Sequence, residues 1–188
     1  MKILAISGSL RFQSTNSALL QAILRIAPSY METITYEELG DLPHFSPDKD
    51  GQHSPDVVLR YRKALMDSDG VVICTPEYAH GIPGVLKNSL DWVVGSGEYV
   101  NKPVMVLSAS PSYMGGDKAH ASLVTSLRAM NVIVVETCSF PIPFARKKLK
   151  DNGEFADQAT VEIFQNAWLQ FANAIRSRMQ SFADEHLR

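Results

Sequence analysis

Residues 70–94 read GVVICTPEYAHGIPGVLKNSLDWVV. Their opening, 70–75, carries Val71, Val72, Ile73 and Cys74 with no polar alternation. A strand without alternation is buried on both faces, which is the habit of a parallel sheet covered by helices. PEYAHGIPG follows as a loop with two prolines and two glycines. Val85, Leu86, Leu90 and Val93 then recur at helical spacing, and Gly95 and Gly97 close that helix.

The same alternation extends in both directions. Residues 2–7 form a short apolar run ended by Gly8 and Ser9, which reads as a buried strand. After a polar turn, Leu19, Leu20, Ile23, Leu24 and Ala27 mark a helix, with Ser14, Thr15 and Asn16 as N-cap candidates. Residues 31–36 are the second strand. Residues 40–55 hold prolines, aspartates and two histidines and read as a long surface loop, functional or mobile. Asp56 caps a helix through Val57, Val58, Tyr61 and Leu65. A strand over 102–109 leads into the small-residue loop SASPSYMGGDK and a helix carrying Leu123, Val124, Leu127 and Met130. The fifth strand spans 132–135. Residues 140–153 are irregular, with Pro141, Pro143 and the basic run RKKLK. A last helix carries Val161, Phe164, Trp168, Phe171, Ile175 and Met179. Strand and helix thus alternate five times in 188 residues, which predicts one α/β domain over 1–188 with a parallel sheet covered on both faces.

Composition narrows the function classes. Eighteen Lys plus Arg against twenty Asp plus Glu leave a net charge of -2, unlike a protein built to neutralise phosphate backbones, so no nucleic-acid partner is expected. Two cysteines, Cys74 and Cys138, exclude a disulfide scaffold and read as buried free thiols. No stretch approaches the roughly 18 consecutive apolar residues of a spanning helix. The start, MKILAISGSL, lacks the apolar stretch of a signal peptide. A cytoplasmic protein with no membrane partner is expected.

In an open parallel sheet, ligands bind beyond the carboxyl ends of the strands. Three loops leave such ends. In SGSLRFQSTN, Gly8 lets backbone N–H groups approach an anion, Ser9, Ser14, Thr15 and Asn16 add short donors, and Arg11 adds charge. This suits a terminal phosphate. It lacks the glycines of GxGxxG and the lysine of GxxxxGK[ST], so a monophosphate is favoured over a pyrophosphate or triphosphate. The same residues equally fit a capped helix after a tight turn, with Arg11 in solvent. In the second loop, 76–84, Glu77 and Tyr78 sit between prolines, and a planar ring could lie there bordered by Tyr78 or His80. A rigid turn with a locally packed tyrosine is the plainer alternative. The third loop, 108–118, offers Ser108, Ser110 and Gly115-Gly116 as room and donors for a ring, or is a plain connection.

Other chemistries lack their residues. There is no CxxC, HExxH or GxSxG, and the aspartates at 41, 48, 50 and 56 do not have calcium-loop spacing. No metal site and no protein catalytic residue is expected. The basic run 146–150 reads as solvated surface or as a steering patch for an anionic substrate.

GSLRxxSxN near the amino end, with PEYAHGIPGVLKNSLDW in the middle, resembles the NADPH-dependent FMN reductase family of flavodoxin-like quinone, azo-dye and chromate reductases. The resemblance implies a flavodoxin-like three-layer sandwich with a five-stranded parallel sheet in order 2-1-3-4-5. It implies FMN as cofactor, NADPH or NADH as electron donor, and quinones or azo compounds as small-molecule acceptors, with the chemistry on the flavin. Carried over by position, Ser9, Arg11, Ser14 and Asn16 would surround the FMN phosphate. Pro76, Glu77, Tyr78 and the Ala79 backbone would line the ring, and Ser108, Ser110 and Gly115 would approach it from the third loop. Many relatives have Asn where this chain has Ala79. Relatives commonly form homodimers or homotetramers through the helix over 83–94, where Trp92 is an interface residue or a core tryptophan. Two other functions share the fold: an electron carrier that docks protein partners, and a non-redox phosphate-ligand-binding protein.

Overall fold

The computed structural model describes residues 1–185. Strands β1 (Lys2–Ser7), β2 (Glu32–Thr35), β3 (Gly70–Thr75), β4 (Pro103–Ala109) and β5 (Ile133–Val134) pair in the order β2-β1-β3-β4-β5, all parallel. The helices are α1 (Thr15–Arg25), α2 (Asp56–Met66), α3 (Gly84–Asp91), α4 (Asp117–Ala129) and α5 (Gln158–Glu185).

Alternate strand residues feed two cores. Ile3, Ala5, Val72, Cys74, Met105 and Leu107 pack under α1 and α5, against Leu19, Ile23, Phe164, Trp168 and Phe171. Leu4, Ile6, Val71, Ile73, Val104 and Val106 pack on the other face, against residues of α2, α3 and α4 such as Tyr61, Leu90 and Leu127. Three layers result, as expected of a strand set buried on both faces. Gly70 is needed by this packing: a Cβ there would meet the Phe171 ring at 2.8 Å.

Four details depart from the sequence reading. The fifth strand is broken. After β5 a 3-10 turn at Glu136–Cys138 intervenes, and β6 (Phe140–Ile142) resumes parallel pairing with β4, within a segment read as irregular. Pro141 is tolerated because this is an edge position, where no outward ladder bond is lost. At the break, the Ser139 hydroxyl accepts the Val106 N–H at 2.9 Å, and the His120 imidazole, its pKa lowered by burial, donates to the Val106 carbonyl. The cap of α2 is Pro55, with Asp56 inside the first turn. Met179 on α5 is exposed rather than core.

The loop 40–55 is pinned down. Leu39 and Leu42 are buried, the Asn88 amide donates to the Pro43 carbonyl at 2.9 Å, and Trp92 Nε1 donates to the same oxygen at 2.7 Å. Arg62 clasps its end, donating to Asp50 Oδ1 at 2.8 Å and Ser54 Oγ at 3.2 Å. Trp92 is fully buried, a core tryptophan and not an interface residue.

Candidate functional site

Strand register places the three loops together. Ser7 pairs with Cys74 and Thr75 with Ser108, so β1, β3 and β4 release their chains at one edge. Gly8 crosses closely over β3: its N–H donates to the Cys74 carbonyl at 2.9 Å, and a Cβ would meet Thr75 Oγ1 at 2.8 Å. A cavity of ≈ 140 Å³ lies beyond, lined by Ser9, Arg11, Ser14, Thr15, Asn16, Pro76, Glu77, Tyr78 and Ser110.

The first loop wraps the start of α1. Ser14 is its N-cap, accepting the Ser17 N–H at 3.2 Å while keeping its own O–H to donate. Ser9 Oγ likewise accepts the Arg11 N–H at 3.3 Å. The Asn16 side chain is spent on the scaffold, donating to the Ala109 carbonyl at 3.2 Å and accepting from Cys74 Sγ at 3.5 Å. The first-turn N–H groups of a helix lack intrahelical acceptors and favour an anion.

The second loop is a two-residue turn. Tyr78 and Gly81 exchange backbone bonds of 3.0 Å, with Ala79 at φ 49° and His80 at φ 61°. Such a turn favours Asn or Gly, because the left-handed region costs other residues energy. Ala79→Asn or Ala79→Gly is therefore expected to raise stability by about 0.5–1 kcal/mol, read as a shifted urea midpoint with an unchanged slope. A lowered midpoint would show that the alanine conformation is unstrained.

Glu77 has a role absent from the sequence reading. Gly116 opens α4 without a side-chain cap, and Glu77 Oε2 accepts the N–H groups of Lys118 and Ala119, each at 3.0 Å. The carboxylate thus caps a distant helix and ties the second loop to the third. Glu77→Ala is expected to cost about 1–2 kcal/mol, as loss of a charged cap does, and to weaken ligand binding between the loops. Denaturation and ligand titration of the variant against the parent check this; identical curves would remove the role.

The third loop folds back on β6. Phe144 N–H donates to the Ser112 carbonyl at 3.1 Å and Ala145 N–H to that of Ser110 at 3.0 Å. Phe144 holds a φ of 51°, strained for a bulky residue, and this bend delivers Ala145 and Arg146 to the cavity wall. Arg146 belongs to the basic run read as solvated surface or a steering patch, and the fold brings it to the cavity that Arg11 also lines. Ser108, Gly115 and Ala79 do not line the cavity. Ser108 is buried and donates to the Gly115 carbonyl at 2.9 Å. The space beside Gly115 is filled by the chain itself: a Cβ would lie 2.7 Å from the Ile142 carbonyl carbon.

The donor set fits a phosphate-bearing planar cofactor. Neither the Arg11 nor the Arg146 guanidinium has an intramolecular partner among the described residues. They stand with the hydroxyls of Ser9, Ser14 and Thr15, and the wall's carboxylate, Glu77, is turned to α4. Tyr78, half-exposed, offers a ring face at the rim. Burial pushes both thiols, Cys74 and Cys138, up to about 12, which leaves them inert. No cluster suited to a metal ion exists among the described residues, and among them no helix is long and apolar enough to cross a membrane.

Known proteins resemble this chain over most of its length. A quinone reductase of Pseudomonas putida is 31% identical, over 92% of this chain and 97% of its own length. A 2-hydroxy-1,4-benzoquinone reductase of a Burkholderia species is 29% identical, over 95% and 98%. The structure of FerB, a flavoenzyme NAD(P)H:(acceptor) oxidoreductase from Paracoccus denitrificans, superposes with a TM-score of 0.83 at 28% identity, covering 94% of this chain and 98% of that one. The family model described as NADPH-dependent FMN reductase matches residues 1–147, and the chain belongs to that family.

Proposed function

We propose that this protein is an FMN-dependent NAD(P)H oxidoreductase that reduces quinones, azo compounds and similar acceptors. The observation that carries this reading is the cavity itself: a phosphate-type donor set and an exposed tyrosine brought together by the register of three strands. FMN, when bound, supplies the ring that takes up and passes on hydride. The chain's own groups do the rest. Ser9, Arg11, Ser14 and Thr15, with the first-turn N–H groups of α1, hold the phosphate. Asn16 fixes α1 to β3 and β4. Pro76 and the turn at Ala79 and His80 present Tyr78 to the ring, and Glu77 locks that loop. Ser110 borders the opposite wall, and the buried Ser108 and Gly115 shape the loop behind it. Tyr113 and Met114 of the third loop and Phe144, next in sequence to the lining residue Ala145, are exposed, and such apolar surface suits flat aromatic acceptors.

The protein works as a homodimer or homotetramer; α3 and the exposed Val94 beyond it support a contact there. Buried unpaired thiols and a nicotinamide donor suit a reducing, cytoplasmic setting. The protein as purified is expected to be yellow, to bleach anaerobically with NAD(P)H, and to oxidise NAD(P)H with a quinone in the absence of any second protein. A colourless protein that takes up no FMN on titration would refute the reading. Bleaching without quinone turnover would favour a carrier of electrons between proteins.

A further inference from the structure

The basic run at 146–150 divides by role. Lys147 stands over the Phe144 ring at 5.6 Å, and Lys148 donates to Thr160 Oγ1 at 3.2 Å. Arg146 and Lys150, together with Arg11, instead line a groove of ≈ 620 Å³ along the start of α1. The groove shares Arg11, Ser14, Thr15 and Arg146 with the cofactor cavity, so the two spaces adjoin. Its lining includes one carboxylate, Asp151. Lys150 also reaches Glu154 at 3.8 Å, but both side chains are mostly exposed, so that pair holds it weakly. Phe12, on the same wall, is fully exposed.

The opposite side of the first loop differs. A smaller cavity of ≈ 110 Å³ there is lined by Ser9, Thr35, Tyr36 and Glu37 among others, with a carboxylate and no cation. A dinucleotide donor whose nicotinamide lies beside Tyr78 has to extend along one side or the other. Its phosphates are repelled by the side with Glu37 and attracted by the side with Arg146 and Lys150.

We propose that the groove between residues 11–18 and 146–151 holds the 2′-phosphoadenosine half of NADPH, so that the protein selects NADPH over NADH. Arg146 and Lys150 take the 2′-phosphate, and Phe12 offers the adenine a stacking face. Arg11 serves the cofactor phosphate, so the discrimination falls to the other two cations. This inference rests on the function proposed above and adds donor choice to it.

The test uses the protein as purified. Adenosine 2′,5′-bisphosphate, titrated by calorimetry, is expected to bind more tightly than adenosine 5′-monophosphate. Arg146→Gln and Lys150→Gln should each reduce that preference about tenfold, the usual size of a lost charged hydrogen bond. The ratio of kcat/KM for NADPH to that for NADH should fall by a similar factor, with Phe12→Ala weakening both donors alike. Unmoved preferences in both variants would overturn the proposal. So would an Arg146→Gln protein that loses FMN affinity but keeps its donor ratio, since Arg146 would then belong to the cofactor phosphate. A protein that binds the bisphosphate through Arg146 yet takes no flavin would retire the redox reading and keep the groove; a flavoprotein with quinone turnover and an unmoved ratio would do the reverse.

Discussion

Trp92→Ala is expected to cost about 4 kcal/mol, the range for deleting a fully buried tryptophan, and to free the loop 40–55. The residue has no exposed surface, and the Phe45 ring meets it edge-on at a centroid distance of 5.2 Å. Its Nε1 donates to the Pro43 carbonyl at 2.7 Å, and its own carbonyl accepts from Arg62 at 2.5 Å. Alanine would leave a cavity, remove a donor from a half-buried carbonyl, and loosen the seat of the strap on α3. Urea denaturation should show the loss, and limited proteolysis should begin within the loop in the variant alone. Trp92→Phe keeps most of the volume but not the N–H, and should fall between the two. A variant as stable and as protease-resistant as its parent would mean that the strap is held from elsewhere.

The fold was legible where burial writes itself into hydrophobic pattern. The apolar runs at 2–7, 70–75 and 102–109 correspond to β1, β3 and β4, because a central parallel strand must be apolar on both faces. Edges were harder to read. The fifth strand is carried by two short pieces around a 3-10 turn, and its second piece contains a proline that signals a break in most other settings. The strap 40–55 looked free because it is polar and rich in proline. It is held by backbone carbonyls accepting from Asn88 and Trp92, and the identity of an acceptor residue leaves no trace in its side chain.

The site was legible to the extent that short loops after strands carry unusual residues. Nine of the positions read from the three loops line one cavity. Three others, Ala79, Ser108 and Gly115, shape the loops from behind, a distinction that spacing does not encode. Arg146 reads from sequence only as surface or steering charge, because its arrival at the cavity depends on the strained bend at Phe144 and on hydrogen bonds from that bend to Ser110 and Ser112. Such long-range delivery is a property of the folded chain, visible only once β6 is placed beside β4.

Lys102→Met is expected to stabilise the protein at neutral pH and to change how its stability varies with pH. Lys102 is buried just before β4, at the sheet edge opposite the site, and its Nζ donates to the Ser68 carbonyl at 2.5 Å. Burial, reinforced by the nearby charge of Arg178 and opposed by Asp69, lowers its pKa from 10.5 to about 8. At ~1.36 kcal/mol per pKa unit, keeping that ammonium charged in the fold costs about 3 kcal/mol near pH 7. Between about 8 and 10.5 the unfolded chain holds a proton that the folded chain has released, so the parent gains stability as pH rises through this window. Methionine removes the charge and the gain together, while leaving the Ser68 carbonyl without its donor at a cost of roughly 1 kcal/mol. The variant should thus lead by about 2 kcal/mol at pH 7, with the lead shrinking steadily toward pH 9.5. Tyr36, Tyr61 and Tyr99 are shifted upward by burial, and their contribution is lost only as pH rises past the unfolded tyrosine value near 10. That loss is common to both proteins and cancels in their difference. Urea midpoints at pH 7, 8.5 and 9.5 measure the gap; a gap that stays constant across the series would mean that Lys102 keeps its ordinary proton affinity in the fold.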